Sequence, residues 1–219
     1  MLTRKQWGWF FTALSCTIFF VVLTVTLLCV DVQSTATGPI GWATINLWWR
    51  DLLGVQNVWH LISDVIVGVT LLALVGMLVW QLVIILRGKS LRALTLRWWV
   101  FDITIIVLGL CYLLFQFVVI NYRPIVLDGI AEVSYPSSHI LLVATLWPLI
   151  LCLCRQGIKS LTWRRILLVC GWLMLALGVV ARLCCGYHWF TDVLGALLLS
   201  AVLVTWFQFF MQYKLPANH

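Results

Sequence analysis

A chain of 219 residues in which 63% of side chains are hydrophobic and only 10% charged is excluded from the water-soluble domains, and its mean hydropathy of +1.07 assigns it to a bilayer. The net charge of +7 does not indicate a nucleic-acid partner, because the lysines and arginines fall into short groups between apolar runs and form no single patch. The eight cysteines sit mostly within apolar stretches, and neither Cys152 with Cys154 nor the adjacent Cys184 and Cys185 makes a structural metal motif.

Six apolar runs mark candidate spans at 9–30, 58–86, 98–120, 138–154, 166–183 and 190–212. The first follows a basic tip, Arg4 and Lys5, and is too long for the apolar core of a cleaved signal, so it reads as a retained span. Between the first two runs, Gly41 to Gln56 places Trp42, Ile45, Trp48, Trp49, Leu52 and Leu53 at roughly helical spacing, as in an interfacial helix. The expected fold is all-α: one integral-membrane domain over 1–219, a polytopic bundle of six transmembrane helices with that interfacial helix between spans one and two.

Orientation follows from the basic residues. Arg4, Lys5, Arg87, Lys89, Arg92, Arg97, Arg155, Lys159, Arg164, Arg165 and Lys214 fall on one side, against Arg50, Arg123 and Arg182 on the other, a split of eleven to three. Both termini are therefore expected in the cytoplasm, with the first, third and fifth connections facing outward from what reads as a bacterial cell membrane.

Ionisable groups within the apolar runs are costly and need a reason. Asp102 follows Arg97, Trp98 and Trp99 near the cytoplasmic interface, where a structural role is expected. His60 and Asp64, four residues apart, share a helix face and are expected to hydrogen-bond each other or a neighbouring span; extending an outward polar site is the alternative.

The outward connections gather polar residues that a bundle does not need for packing. Asn121, Arg123, Ser137, Ser138 and His139 belong to the third, where a helix start would offer free N–H groups and a positive dipole end to an anion such as phosphate. In the fifth, Arg182 ends a span while His188 and Asp192 straddle the next helix start. Four residues apart, the two are expected to share a helix face, where the carboxylate can hold one imidazole nitrogen and leave the other free as a nucleophile.

These elements, Arg123-Pro124, Pro136-Ser137-Ser138-His139, and Arg182 with five residues to His188 and three more to Asp192, resemble the type 2 phosphatidic acid phosphatase family. The motif region runs from 116 to 192. The resemblance implies a membrane lipid phosphatase acting on undecaprenyl diphosphate, phosphatidylglycerol phosphate or phosphatidate, with lipid phosphate and membrane lipids as its partners, no nucleic acid, and no metal or other cofactor. By motif position it implies that His188 attacks phosphorus to give a phosphohistidine, that Asp192 orients it and that His139 protonates the leaving oxygen. Arg123, Arg182 and Ser137, with Ser138 and Gln116 as further donors, would hold the phosphoryl oxygens. Three positions depart from the pattern: Gln116 stands where the family has lysine, Ser138 where it has glycine, and Ala181 where it has serine. A phosphotransferase that passes the phosphate to a lipid or sugar acceptor, and a non-catalytic lipid-phosphate binder, are the competing expectations.

Overall fold

The computed structural model describes residues 2–126 and 131–212, so Lys214 of the expected cytoplasmic set lies outside the described residues. Its first helix, α1 (Arg4–Thr26), begins well before the apolar run, because Thr3 caps it. The Thr3 hydroxyl accepts from the Gln6 N–H at 3.2 Å while the Thr3 N–H donates to Gln6 Oε1 at 2.7 Å, which satisfies two otherwise orphaned donors reciprocally. Beyond it lies an antiparallel hairpin, β1 (Gln33–Thr35) and β2 (Gly38–Ile40), which strands of three residues do not announce in a sequence. The interfacial helix is present as α2 (Ala43–Leu53); it buries Asn46 and leaves Trp48 and Leu52 exposed.

The remaining five long helices are α3 (Asn57–Gly88), α4 (Leu96–Phe117), α5 (Ser138–Gly157), α6 (Leu161–Cys184) and α7 (Phe190–Met211). With α1 they make, among the described residues, six helices long and apolar enough to span a membrane. At 32 residues and about 1.5 Å per residue, α3 is about 48 Å long and must tilt or project beyond a bilayer core.

Helices α5 and α7 form the centre, each with half of its apolar window buried against 11% for α1 and 17% for α3. Helix α1 lies along α7, α3 packs on α5 and α6, and α4 leans on α7 and α5. Polar ties cross the bundle where hydrocarbon would leave them unpaired: Trp147 Nε1 donates to Thr70 Oγ1 at 3.1 Å, and Ser200 Oγ to the Leu141 carbonyl at 3.2 Å. Asp102 has the structural role expected of it, accepting from Gln81 Nε2 at 2.6 Å between α4 and α3. The Gly195 position on α7 must lack a side chain, because a Cβ there would run into the ring of Tyr135. That close approach seats the segment leading into α5 directly on α7.

Candidate active site

One end of the bundle collects α2, the start of α3, the segment after α4, the starts of α5 and α7, and the end of α6. Asp192, fully buried, is the hub. It occupies the first turn of α7, and its Oδ2 accepts the Trp189 backbone N–H at 2.9 Å, which caps the helix. Its Oδ1 accepts from Asn121 Nδ2 at 3.0 Å, and His188 Nδ1 stands 3.5 Å from Oδ2. His188 precedes α7, so the expectation that the two share a helix face is corrected: the carboxylate meets the imidazole by folding back over the helix start.

Several contacts fix this turn. Asn46 of α2 donates to Thr191 Oγ1 at 3.0 Å and accepts from the Thr191 N–H at 3.1 Å, and Trp189 Nε1 donates to the Tyr122 carbonyl at 2.7 Å. Gly186 has φ +72, and a Cβ there would lie 2.6 Å from Val55 Cγ2, so only glycine passes the chain cleanly from α6 to His188.

Opposite His188 is a set of donors with no acceptor among the described residues. Arg182, fully buried in the last turn of α6, has no hydrogen-bond partner for any of its three guanidinium nitrogens, and the buried Ser137 hydroxyl likewise has none. The Ser137 N–H is spent on the Asp192 carbonyl at 3.1 Å, so the expected cradle of N–H groups at the start of α5 moves one residue along, to Ser138, His139 and Ile140. Arg123 is held by its own loop: its N–H donates to the Glu132 carbonyl at 2.9 Å, its Nε lies 3.1 Å from Glu132 Oε2, and its guanidinium sits 5.8 Å over the Tyr187 ring. Ser138 lines an apolar cleft beside His139. Gln116 is an exposed residue near the end of α4, and among the described residues no hydrogen bond or ion pair joins it to this cluster.

Burial, first, holds the His188 imidazole down at about 4, and the positive charges of Arg182 and Arg123 push the same way; Asp192 opposes them only in part. The ring is therefore neutral near pH 7. With Nδ1 turned to Asp192, its Nε2 lone pair is available to an electrophile, and the two arginines are near enough to act on it electrostatically.

His139, on the first turn of α5, reaches across to α3: its Nε2 is 3.0 Å from Asp64 Oδ1. Asp64 also meets His60 Nδ1 at 2.9 Å through Oδ2, so the His60–Asp64 pairing expected from their spacing is present and extends to the neighbouring span as well. Asn121 was legible only as a polar residue in the right connection. Asn46 and Thr191 carried no signal beyond being polar in apolar surroundings.

A neutral imidazole facing a buried, unpartnered guanidinium and a helix start is an arrangement for nucleophilic attack on a bound oxyanion. The chain matches the family model of the PAP2 superfamily over residues 97–216, a stretch that holds Arg123, Ser137, His139, Arg182, His188 and Asp192. No curated protein matches it. Among solved structures it is similar to a transmembrane PAP2-type phosphatidylglycerolphosphate phosphatase from Bacillus subtilis, with a TM-score of 0.58 and 18% identity over 90% of this chain and 94% of that one, a likeness of fold. The chain belongs to the PAP2 superfamily and is a multi-pass membrane protein with that superfamily's transmembrane phosphatase fold.

Proposed function

We propose that the protein hydrolyses a lipid-linked phosphate or diphosphate without a metal ion, through a phosphohistidine on His188. The reading rests above all on Arg182, a fully buried guanidinium with no partner among the described residues at any nitrogen, since a cation in that position requires an anion. Phosphoryl oxygens fit the planar fork, with the Ser137 hydroxyl, Arg123 and the first N–H groups of α5 as further donors. These groups stabilise the charge spread over the equatorial oxygens in the transition state.

His188 Nε2 forms a bond to phosphorus while the bond to the leaving oxygen breaks, and Asp192 steadies the imidazolium that results. His139 gives its proton to the departing oxygen. Water then attacks phosphorus, the P–N bond breaks, and the neutral His139 takes the water's proton, so inorganic phosphate leaves and the site is restored. A lipid substrate is supported by the cleft beside His139, about 450 Å³, which Val67 and Leu71 of α3, Ile105 and Leu108 of α4, and Leu142 of α5 make apolar. Its lining runs along α5 from His139 to Leu146, about 10 Å at 1.5 Å per residue, which suits an acyl or prenyl chain leaving the phosphate site. The eleven-to-three split of basic residues supports an outward site with cytoplasmic termini.

The test is phosphate release from a panel of lipid phosphates and diphosphates in detergent with chelator present. Wild type turns over and leaves an acid-labile phosphoprotein on rapid quenching; His188→Ala does neither. Undiminished turnover in His188→Ala, or loss of wild-type activity on chelation, would overturn the proposal.

A further inference from the structure

Asp64 is poorly placed if the site only has to attract an anion. It puts a carboxylate, with its side chain 44% exposed, next to His139 at the mouth of a phosphate cradle, where its charge opposes that of Arg182 and Arg123. It also sits in the first turns of a membrane-spanning helix, where a carboxylate is expensive. Both oxygens are committed: Oδ1 to His139 Nε2 at 3.0 Å, and Oδ2 to His60 Nδ1 at 2.9 Å. His60 in turn packs on Tyr187, the ring centroids 4.5 Å apart and the planes tilted by 53°, and Tyr187 lies under Arg123 and precedes His188. The cluster therefore spans α3, α5 and the segment before α7.

We infer that Asp64 is the positioning residue of the proton donor: by receiving the His139 Nε2–H, it turns Nδ1 toward the leaving oxygen and favours the imidazolium that must donate there. His60 holds the carboxylate in that orientation. The site then contains two histidine–carboxylate pairs built differently for opposite tasks. Asp192 is fully buried and orients a His188 that burial and the arginines keep neutral, whereas Asp64 is half-exposed and serves a partly exposed His139 as acid. This inference rests on the phosphohistidine reading above.

The effect is separable from a structural one by the leaving group. An alkyl phosphate such as dodecyl phosphate releases a poor leaving group that needs a proton, whereas p-nitrophenyl phosphate releases a phenolate that does not. Asp64→Asn should lower kcat/KM on dodecyl phosphate, which reports formation of the phosphohistidine and not its hydrolysis, by about 10- to 100-fold, a share of the ~10²–10⁴ that general acid catalysis contributes, with little change in kcat/KM on p-nitrophenyl phosphate. His139→Ala should show the same selectivity, the double variant should be no worse than His139→Ala, and Asp64→Glu should recover part of the loss. Equal losses on both substrates, or wild-type behaviour on both, would overturn the role of Asp64. His188→Ala, run alongside, separates the two ideas: if it stays active on both substrates, the phosphohistidine reading fails, and if it is dead while Asp64→Asn is normal, only the Asp64 inference fails.

Discussion

Replacing Arg182 with methionine sets stability against function in one experiment. Methionine is unbranched and fills the guanidinium's stem space, but it removes a cation that is fully buried and unpartnered at all three nitrogens. The effective penalty for burying an ion is several kcal/mol, and exchanging buried ionic groups for apolar ones commonly stabilises by about 1–4 kcal/mol. In a chain of 219 residues each kcal/mol moves Tm by about 2–4 °C, so Arg182→Met without phosphate should melt several degrees above wild type. Phosphate reverses the order. Wild type at 100 times its Kd gains about 2.7 kcal/mol, whereas the variant, lacking the fork, gains little. Turnover should fall by about 10²–10³, as when a transition-state donor is deleted. Thermal unfolding in detergent, with and without inorganic phosphate, and phosphate release from a lipid phosphate read both arms. A variant that melts below wild type in phosphate-free buffer, or keeps the phosphate-dependent shift, would refute the view of Arg182 as a cation awaiting its anion.

Three other outcomes follow from the same geometry. Because His188 is held at about 4 against an ordinary 6.5, the unfolded chain takes up a proton below 6.5 that the folded chain refuses. Its contribution to stability is full above 6.5 and is lost as pH falls toward 4, at about 1.4 kcal/mol per unit of pH; acid melts of His188→Gln should show a flatter slope than wild type. Asn46→Ala strands the Thr191 N–H and the Gly41 carbonyl, both of which Asn46 now pairs, and should cost about 1–3 kcal/mol for each buried group left unpaired, read as a lowered Tm. Gly186→Ala forces a side chain into left-handed backbone at φ +72 and against Val55, at about 1–2 kcal/mol for the backbone alone, and should lower kcat through His188; adding Val55→Ala should recover part of it.

The spans were legible because hydropathy is a local sum, and α2 because its tryptophans recur at helical spacing. The ends were not: α1 starts at Arg4 because Thr3 and Gln6 cap each other, and hydropathy does not register hydrogen bonds. The candidate site residues were legible because each motif is short and contiguous. What positions them was not. Asn121 meets Asp192 from 71 residues away, Asp64 meets His139 from 75, and Asn46 meets Thr191 from 145. Each is one polar residue in an apolar stretch until the bundle closes, and nothing local to either partner encodes the pairing. His188 and Asp192 show the opposite case, in which the right pair was named for a helix-face reason while a helix cap brings them together.

The most consequential of these long-range contacts is the one that keeps two buried charges apart. Asp192 and Arg182 are both fully buried near His188, and an ion pair between them would be the obvious way to neutralise both. Any phosphate would then have to break that pair, and breaking a buried ion pair costs about 3–5 kcal/mol, enough to cancel much of the affinity for the ligand. The structure instead satisfies Asp192 with neutral donors, the Asn121 amide on one oxygen and the Trp189 N–H on the other. Arg182 is left to the incoming anion. On the proposed reading Asn121 serves phosphate binding without touching phosphate, and Asn121→Ala should raise KM as well as lower kcat, because the freed carboxylate oxygen becomes a competitor for the guanidinium. A variant with kcat reduced and phosphate affinity intact would show instead that Asn121 acts on His188 alone.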